Sequence, residues 1–470
     1  MSGESTLLAT QAPSPARAEL RATLALAAPL ALANLLQMLV YAIDVIFVAR
    51  LGETALAASS LSISLFGLMM WCFSGLTAAC SPLIAAELGR RAHAVREVRR
   101  SVRMALWLAV LCGLAGMAVC LGGEAFMLAT GQDPAIAALA GDFLAVLMFA
   151  MIPMILSNVL RTFVSALGRP VFATVITALA IGVNALGNYA LVFGNFGAPA
   201  LGLEGSALST VLTAIITLAA YVVAIQRDRR LRRYRIFGRW WRPEWSRLRQ
   251  IMAIGTPIML TILAEAGLFS GAAFLVGRIG AAELAGHTVA LQIAALAFQI
   301  PFGIGQAATI RVGYHFGAGD RDGIRRAGTV AIWVTVGFMA IPAALMLFAP
   351  RFVLSMYVDP AAAANAAMVG FAVQYMVIAA AFQLFDGLQA VAAGALRGLQ
   401  DTRVPMVIAL SGYWLLGIVT SLWLGFRTPL EGVGVWIGLA VGLVAVAGGM
   451  LWRWHWRERL GLLSPLQTST

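Results

Sequence analysis

At 470 residues, of which 61% are hydrophobic and only 11% charged, the chain carries far more apolar side chain than a soluble domain can bury, and long apolar runs recur along nearly its whole length. The net charge of +12 invites a nucleic-acid reading, but the charges punctuate the apolar runs instead of forming one face, so no nucleic-acid partner is expected. Cys72, Cys80, Cys112 and Cys120 fall inside apolar stretches as small packing residues, the four histidines are scattered, and no metal spacing, nucleophile and base set or phosphate-cradling loop occurs, which argues against an enzyme.

Windows of about 18 apolar residues predict twelve spans in chain order, near 24–48, 56–86, 102–123, 136–158, 171–193, 202–225, 250–277, 284–314, 328–349, 362–390, 404–425 and 434–454. Polar, Pro-containing residues precede the first span without a short apolar core and cleavage site, so that span reads as an uncleaved anchor. All 33 basic residues are arginine. With the N-terminus inside, only Arg50, Arg278, Arg351 and Arg427 fall on outer loops or span ends, and the other 29 lie on or near the inner side. This positive-inside asymmetry predicts that both termini are cytoplasmic. The densest cluster, Arg227 to Arg249, links spans six and seven. The expected division is therefore a tail over 1–19, a six-helix bundle over 20–225, an arginine-rich linker over 226–249, a second bundle over 250–456 and a tail over 457–470. Trp240, Trp241 and Trp245, and later Trp452, Trp454 and Trp456, suit the headgroup level, where membrane lipids are the partners.

Residues 20–91 align without a gap onto 248–319 at an offset of 228. The match pairs Leu20 with Leu248, Arg21 with Arg249, Pro29 with Pro257, Arg50 with Arg278, Gly52 with Gly280, Gly75 with Gly303 and Gly89 with Gly317. An offset of six spans sends both copies into the membrane in the same direction, which predicts two parallel, pseudo-symmetric six-helix bundles related by an axis along the membrane normal. Pro29 and Pro257 interrupt the first helix of each half and are hinge candidates; a bendable gating helix and a static kink both fit.

Three acids lie inside the spans: Asp44, Glu265 and Asp386. A carboxylate there costs about 2.5–3.5 kcal/mol, and such residues commonly mark ion or substrate pathways. Asn184 and Asn188, spaced to share one helix face, place two amides in the same half as Asp44. Gln37 stands at the position equivalent to Glu265, and Ala272 at that equivalent to Asp44, so the halves distribute their acids differently. A carboxylate out of water favours its neutral form and can take a proton, while paired carboxylates with amide oxygens can hold a small hard cation. Protons and Na+ both remain open, the latter at Glu265 and Asp386. His287 reads as a capping or interface residue, and Arg311 as snorkelling or bonded to a carbonyl. Tyr41, Phe269, Phe382 and Phe385, with Phe163 and Phe298, could line an aromatic cavity for cations or simply pack.

At Gly286-His287, at Ile300-Pro-Phe-Gly-Ile-Gly-Gln-Ala-Ala-Thr-Ile-Arg311-Val-Gly313, and at Phe385-Asp386-Gly-Leu-Gln-Ala-Val-Ala-Ala-Gly-Ala-Leu-Arg397-Gly-Leu-Gln-Asp401-Thr, the chain resembles the multidrug and toxic compound extrusion (MATE) family, and most closely its NorM branch. Leu263-Ala-Glu265, Asp44 and Asn184-Ala-Leu-Gly-Asn188-Tyr189 complete the likeness, with Ser206 as the small polar residue on the sixth span. The resemblance implies an all-α polytopic protein whose bundles form a V. It implies a monomeric antiporter of the bacterial inner membrane, which needs no cofactor and exports lipophilic, often cationic compounds against Na+ or H+. Glu265 and Asp386, and then Asp44, Asn184 and Asn188, become the ion-coupling candidates. Tyr41, Gln37, Phe269, Gln292, Phe382, Phe385 and Ser206 become the substrate-cavity candidates. A flippase for lipid-linked oligosaccharides or other lipids, of the same superfamily, is the alternative; it calls for basic residues in the cavity, and only Arg161 and Arg311, near the inner ends, are evident.

Overall fold

The computed structural model describes residues 14–463 apart from 92 and 239. The outer parts of the two expected tails, 1–13 and 464–470, lie outside the described residues. Among the described residues, twelve helices are long and apolar enough to cross a membrane: α1 (Pro15–Ala49), α2 (Glu53–Arg90), α3 (Ala94–Leu121), α4 (Pro134–Ala166), α5 (Val171–Phe193), α6 (Leu203–Arg227), α7 (Trp245–Ile279), α8 (Ala281–Gly317), α9 (Arg321–Phe348), α10 (Ala363–Gly398), α11 (Arg403–Arg427) and α12 (Glu431–His455). No strand occurs among the described residues. The protein is a multi-pass, all-α membrane protein, as expected for a chain that must satisfy every backbone group inside hydrocarbon.

The helices outrun the apolar windows. α3 begins at Ala94 and α9 at Arg321, each a turn or more before the predicted edge, and α10 continues to Gly398. Hydropathy marks where the bilayer core ends, whereas the helix stops where its end groups find partners. Asp320 caps α9 by accepting the Gly323 amide at 2.8 Å, and Asp133 caps α4 through Ala135 at 2.8 Å. α1 likewise starts at Pro15, with the Ser14 hydroxyl accepting from Arg17, so the helix already occupies part of the expected tail. Among the described residues between Arg227 and Trp245, one short helix occurs, Arg229–Arg232. Pro29 and Pro257 both sit inside continuous helices.

The two halves meet through α1 on α8 and α7 on α2, which exchange under the 228-residue offset. Small residues set the approach, as between membrane helices generally. A Cβ on Gly89 would fall 2.0 Å from the Tyr314 carbonyl oxygen, and one on Gly317 would fall 1.8 Å from that of Ala86. Tyr314 and Ala86 are themselves repeat equivalents. In the same way Gly75 abuts Met259, and Gly303 abuts the equivalent Ala31. These close approaches lie toward the arginine-rich end of the helices. Beyond them α1 turns to α5, and α7 to α11 and α12, giving a V of two pseudo-symmetric bundles.

Candidate functional site

In the first half, Asp44 on α1 is buried, 6% exposed, among three donors from two other helices. Asn184 Nδ2 donates to Asp44 Oδ1 at 3.0 Å, Asn188 Nδ2 to the same oxygen at 2.8 Å, and Thr210 Oγ1 to Asp44 Oδ2 at 3.3 Å. Asn188 also donates to the Asn184 carbonyl at 3.0 Å, and Ser209 Oγ donates to that carbonyl at 3.1 Å. The i, i+4 spacing puts both amides on the face of α5 that meets α1, and Thr210 reaches in from α6. Two amide nitrogens and a hydroxyl therefore meet the Asp44 carboxyl, while the Asn188 side-chain oxygen has no hydrogen-bond partner among the described residues.

In the second half, Asp386 on α10 is 4% exposed and shares a single amide with Glu265 on α7. Gln389 Nε2 lies 3.2 Å from Glu265 Oε1 and 3.4 Å from Asp386 Oδ1. Gln389 follows Asp386 by three residues and therefore faces the same way. Arg397 and Tyr413 stand within electrostatic reach of Glu265, but Arg397 makes no ion pair within 4 Å among the described residues, and the buried Tyr413 hydroxyl has no hydrogen-bond partner among them. Tyr413 belongs to a π-helical stretch of α11, Ser411–Ile418, a device that is frequent at functional sites because the wider turn re-aims side chains. Two carboxylates with one amide between them form an under-satisfied site suited to a proton or a small cation.

At the arginine-rich end a third cluster bridges the halves. Arg311 donates to Glu19 through Nε and a terminal nitrogen at 2.8 and 2.7 Å, and His315 Nε2 lies 3.3 Å from Glu19 Oε2. On the other side Arg247 pairs with Glu97 and lies 3.7 Å from Glu87, while Glu244 engages Arg100 and Arg103.

Several sequence expectations change. Phe382 does not line a cavity; it is 1% exposed and stacks on Trp436 at 5.5 Å in the core of the second half. Ser206 is buried, with its carbonyl accepting from Thr210, so the hydroxyl that reaches Asp44 comes one turn later, from Thr210. Phe163 is likewise fully buried. His287 is no helix-end cap: it is 1% exposed against Trp436, and neither ring nitrogen has a partner among the described residues. Arg311 binds a carboxylate, not a carbonyl, and Arg161 donates to Asn34. Tyr41, Gln292 and Phe385 keep exposed surface, and Gln37 and Phe269 are half-buried. Thr210, Tyr413 and Arg397 join the site without having been singled out for it; Thr210 alone had a signal, its place one turn after Ser206.

The profile described as MatE matches residues 29–190 and 257–423, two segments that open on the two equivalent prolines. A protein of Mesorhizobium japonicum described as "Probable multidrug resistance protein NorM" is 45% identical over 444 residues, covering 94% of this chain and 95% of its own. The solved structure of the eukaryotic MATE transporter AtDTX14 superposes with a TM-score of 0.84 at 20% identity, over 96% of this chain and 99% of that one. A structure described as the outward-facing conformation of a multidrug resistance MATE family transporter of the MOP superfamily gives 0.83 at 20% identity, over 96% and 97%. At such identities the two structures speak for the fold.

Proposed function

Because the chain belongs to the MatE family, and is therefore a transporter and not an enzyme, we propose that it is a secondary active multidrug efflux transporter of the bacterial inner membrane. It exports small lipophilic, often cationic compounds by antiport against Na+ or H+, works as a monomer without a cofactor, and keeps both termini cytoplasmic. The observation that carries this reading is the pair Glu265 and Asp386, half-buried and buried in the second half with one amide between them. Two negative charges so placed disfavour one another until a cation or a proton joins them.

Coupling needs ligands that favour different states, since a ligand shifts a conformational equilibrium only through differential affinity. The coupling ion neutralises Glu265 and Asp386 from the outer side, the drug leaves the cleft, and the ion-loaded protein returns inward. Asp44, Asn184, Asn188 and Thr210 form a second ion or proton site in the first half. Pro29 and Pro257 act as hinges, and Tyr41, Gln37, Phe269, Gln292 and Phe385 are the cavity residues that remain. The flippase alternative loses support because Arg161 and Arg311 are engaged by Asn34 and Glu19.

The test is efflux of a fluorescent lipophilic cation from proteoliposomes under an Na+ gradient and a pH gradient imposed separately. One gradient drives efflux in the wild type, and Glu265→Gln abolishes it. A folded Glu265→Gln protein that still responds to that gradient would sink the reading.

A further inference from the structure

We propose that the cleft between the arginine-rich ends of α9 and α12 binds the phosphate of an anionic phospholipid. The cleft, about 800 Å³, is lined by Arg325, Trp333, Trp454, Arg457 and Arg459, with Glu458 as the acid among its lining residues. Arg457 is the centre of the site. It is 7% exposed, it donates to the Trp454 carbonyl at 2.9 Å, and its Nε has no partner among the described residues. A buried guanidinium with an unanswered N–H is costly unless an anion meets it. Burial first, and then the like charge of Arg325, hold Arg457 below the usual arginine value against the pull of Glu458. Cation–π contacts fix the two donors in place, Arg457 over Trp454 at 4.5 Å and Arg459 over Trp456 at 4.4 Å.

The source of the phosphate follows from the surroundings. Trp333 and Trp452 stand exposed beside the cleft, and exposed tryptophans suit a lipid-facing rim near the headgroups. Basic pockets between helices on this side of a membrane are suited to anionic headgroups, and Ile332 and Leu451 offer apolar wall for an acyl chain. This site is independent of which ion drives transport.

Native mass spectrometry of the full-length protein with phosphatidylglycerol or phosphatidylcholine of equal chain length tests it. Wild type retains phosphatidylglycerol preferentially. Arg459→Gln, at an exposed position that leaves the fold alone, weakens retention roughly fivefold, and Arg457→Gln with Arg459→Gln roughly thirtyfold, by the usual contribution of one arginine at a membrane surface. Equal retention of both lipids, unchanged retention in Arg459→Gln, or displacement of the lipid by millimolar inorganic phosphate overturns the proposal, the last by making this a free-anion site.

A second inference rests on the repeat. Glu19 and Arg247 are equivalent at the 228 offset, and so are Glu87 and His315. Glu19 meets His315 at 3.3 Å and Arg247 meets Glu87 at 3.7 Å. The geometry points to one inter-half latch built twice, with the acid and its nitrogen partner exchanged between the two positions, each copy reinforced by a further partner, Arg311 or Glu97. The latch holds the arginine-rich end closed and must break for that end to open, which rests on the alternating-access reading. Spin labels at exposed Arg96 and Arg403, in a background lacking the native cysteines, read the separation of the halves without drug or coupling ion, so coupling can fail while this holds. Glu19→Gln with Arg247→Gln raises the population open at this end roughly tenfold, and Glu19→Asp retains the closed distribution. An unchanged distance distribution in the folded double variant refutes the latch.

Discussion

Asp44 and Asp386 are equally dry, yet Asp44 accepts three hydrogen bonds and Asp386 accepts one, at 3.4 Å, from an amide it shares with Glu265. The first arrangement answers its carboxyl with three donors from the protein. The second brings two acids together with half an amide each. Both lie on one repeated scaffold but at different places in it, Asp44 on the first helix of its half and Asp386 on the fourth of its own, with a π-helical stretch beside the second site. Unequal polar satisfaction makes the first site the better-answered one, and on the proposed function it assigns the second half the stronger response to the ion.

That contrast breaks most readily at Asp386. Asp386→Asn is expected to lower gradient-driven efflux about 100-fold, within the range of coupling free energies, while leaving the thermal midpoint unchanged or raised because a buried repulsion is gone. Proteoliposome efflux and a melting curve on one preparation check both halves of the claim. A large loss of stability instead would place Asp386 in the same class as Asp44. The shared frame is tested next by its glycines. Gly89→Ala and Gly317→Ala each push a methyl group into a backbone carbonyl of the other half and are expected to destabilise equally, by about 2.5 kcal/mol each. Gly337→Ala, which meets nothing within 4 Å, is expected to be neutral. Unequal costs at Gly89 and Gly317 would mean that the two interfaces are not equivalent.

Asp44→Ala sharpens the other side of the contrast. It takes the acceptor from Asn184 Nδ2 and leaves Asn188 and Thr210 only the Asn184 and Ser206 carbonyls, and is expected to lower stability by about 2 kcal/mol, read as the shift in the thermal midpoint. Glu265→Ala, which leaves the Gln389 amide to Asp386, is expected to cost clearly less. Equal losses would remove the distinction between a satisfied and an under-satisfied site.

The parts of this molecule that were legible in the sequence are those where physics allows one residue type. Gly89 and Gly317 announce the repeat because no side chain fits between α2 and α8, and Asp44, Glu265 and Asp386 stand out because a charge in an apolar window has no cheap explanation. The cavity was less legible. Phe382 and Phe385 differ by three residues and by a full change of environment, yet these helices are apolar nearly all round, so periodicity does not separate core from cleft. Arg397 reads as one more topology arginine at a helix end, and its reach to Glu265 depends on packing. Tyr413 owes its place to the π-helical stretch of α11, for which a run of Gly, Tyr, Trp and Leu gives no signal.

Thr210 carries the smallest expected effect and the most specific one. A threonine in a membrane helix ordinarily returns its hydroxyl to the carbonyl four residues back, and Thr210 does so with Ser206 at 3.2 Å while also reaching Asp44 Oδ2 at 3.3 Å. Thr210→Val keeps the shape and removes the donor, leaving Asp44 Oδ2 without the hydroxyl while Oδ1 keeps both amides. The expected loss is about 1 kcal/mol of stability, and because Oδ2 then answers to fewer donors, the first half should respond more strongly to the coupling ion. Thermal melts with and without that ion measure both effects: the ion-dependent gain in midpoint grows in Thr210→Val. If the midpoint falls and the ion-dependent gain is unchanged, satisfaction of Asp44 and its use of the ion are separate properties, and the contrast between the halves is one of stability alone.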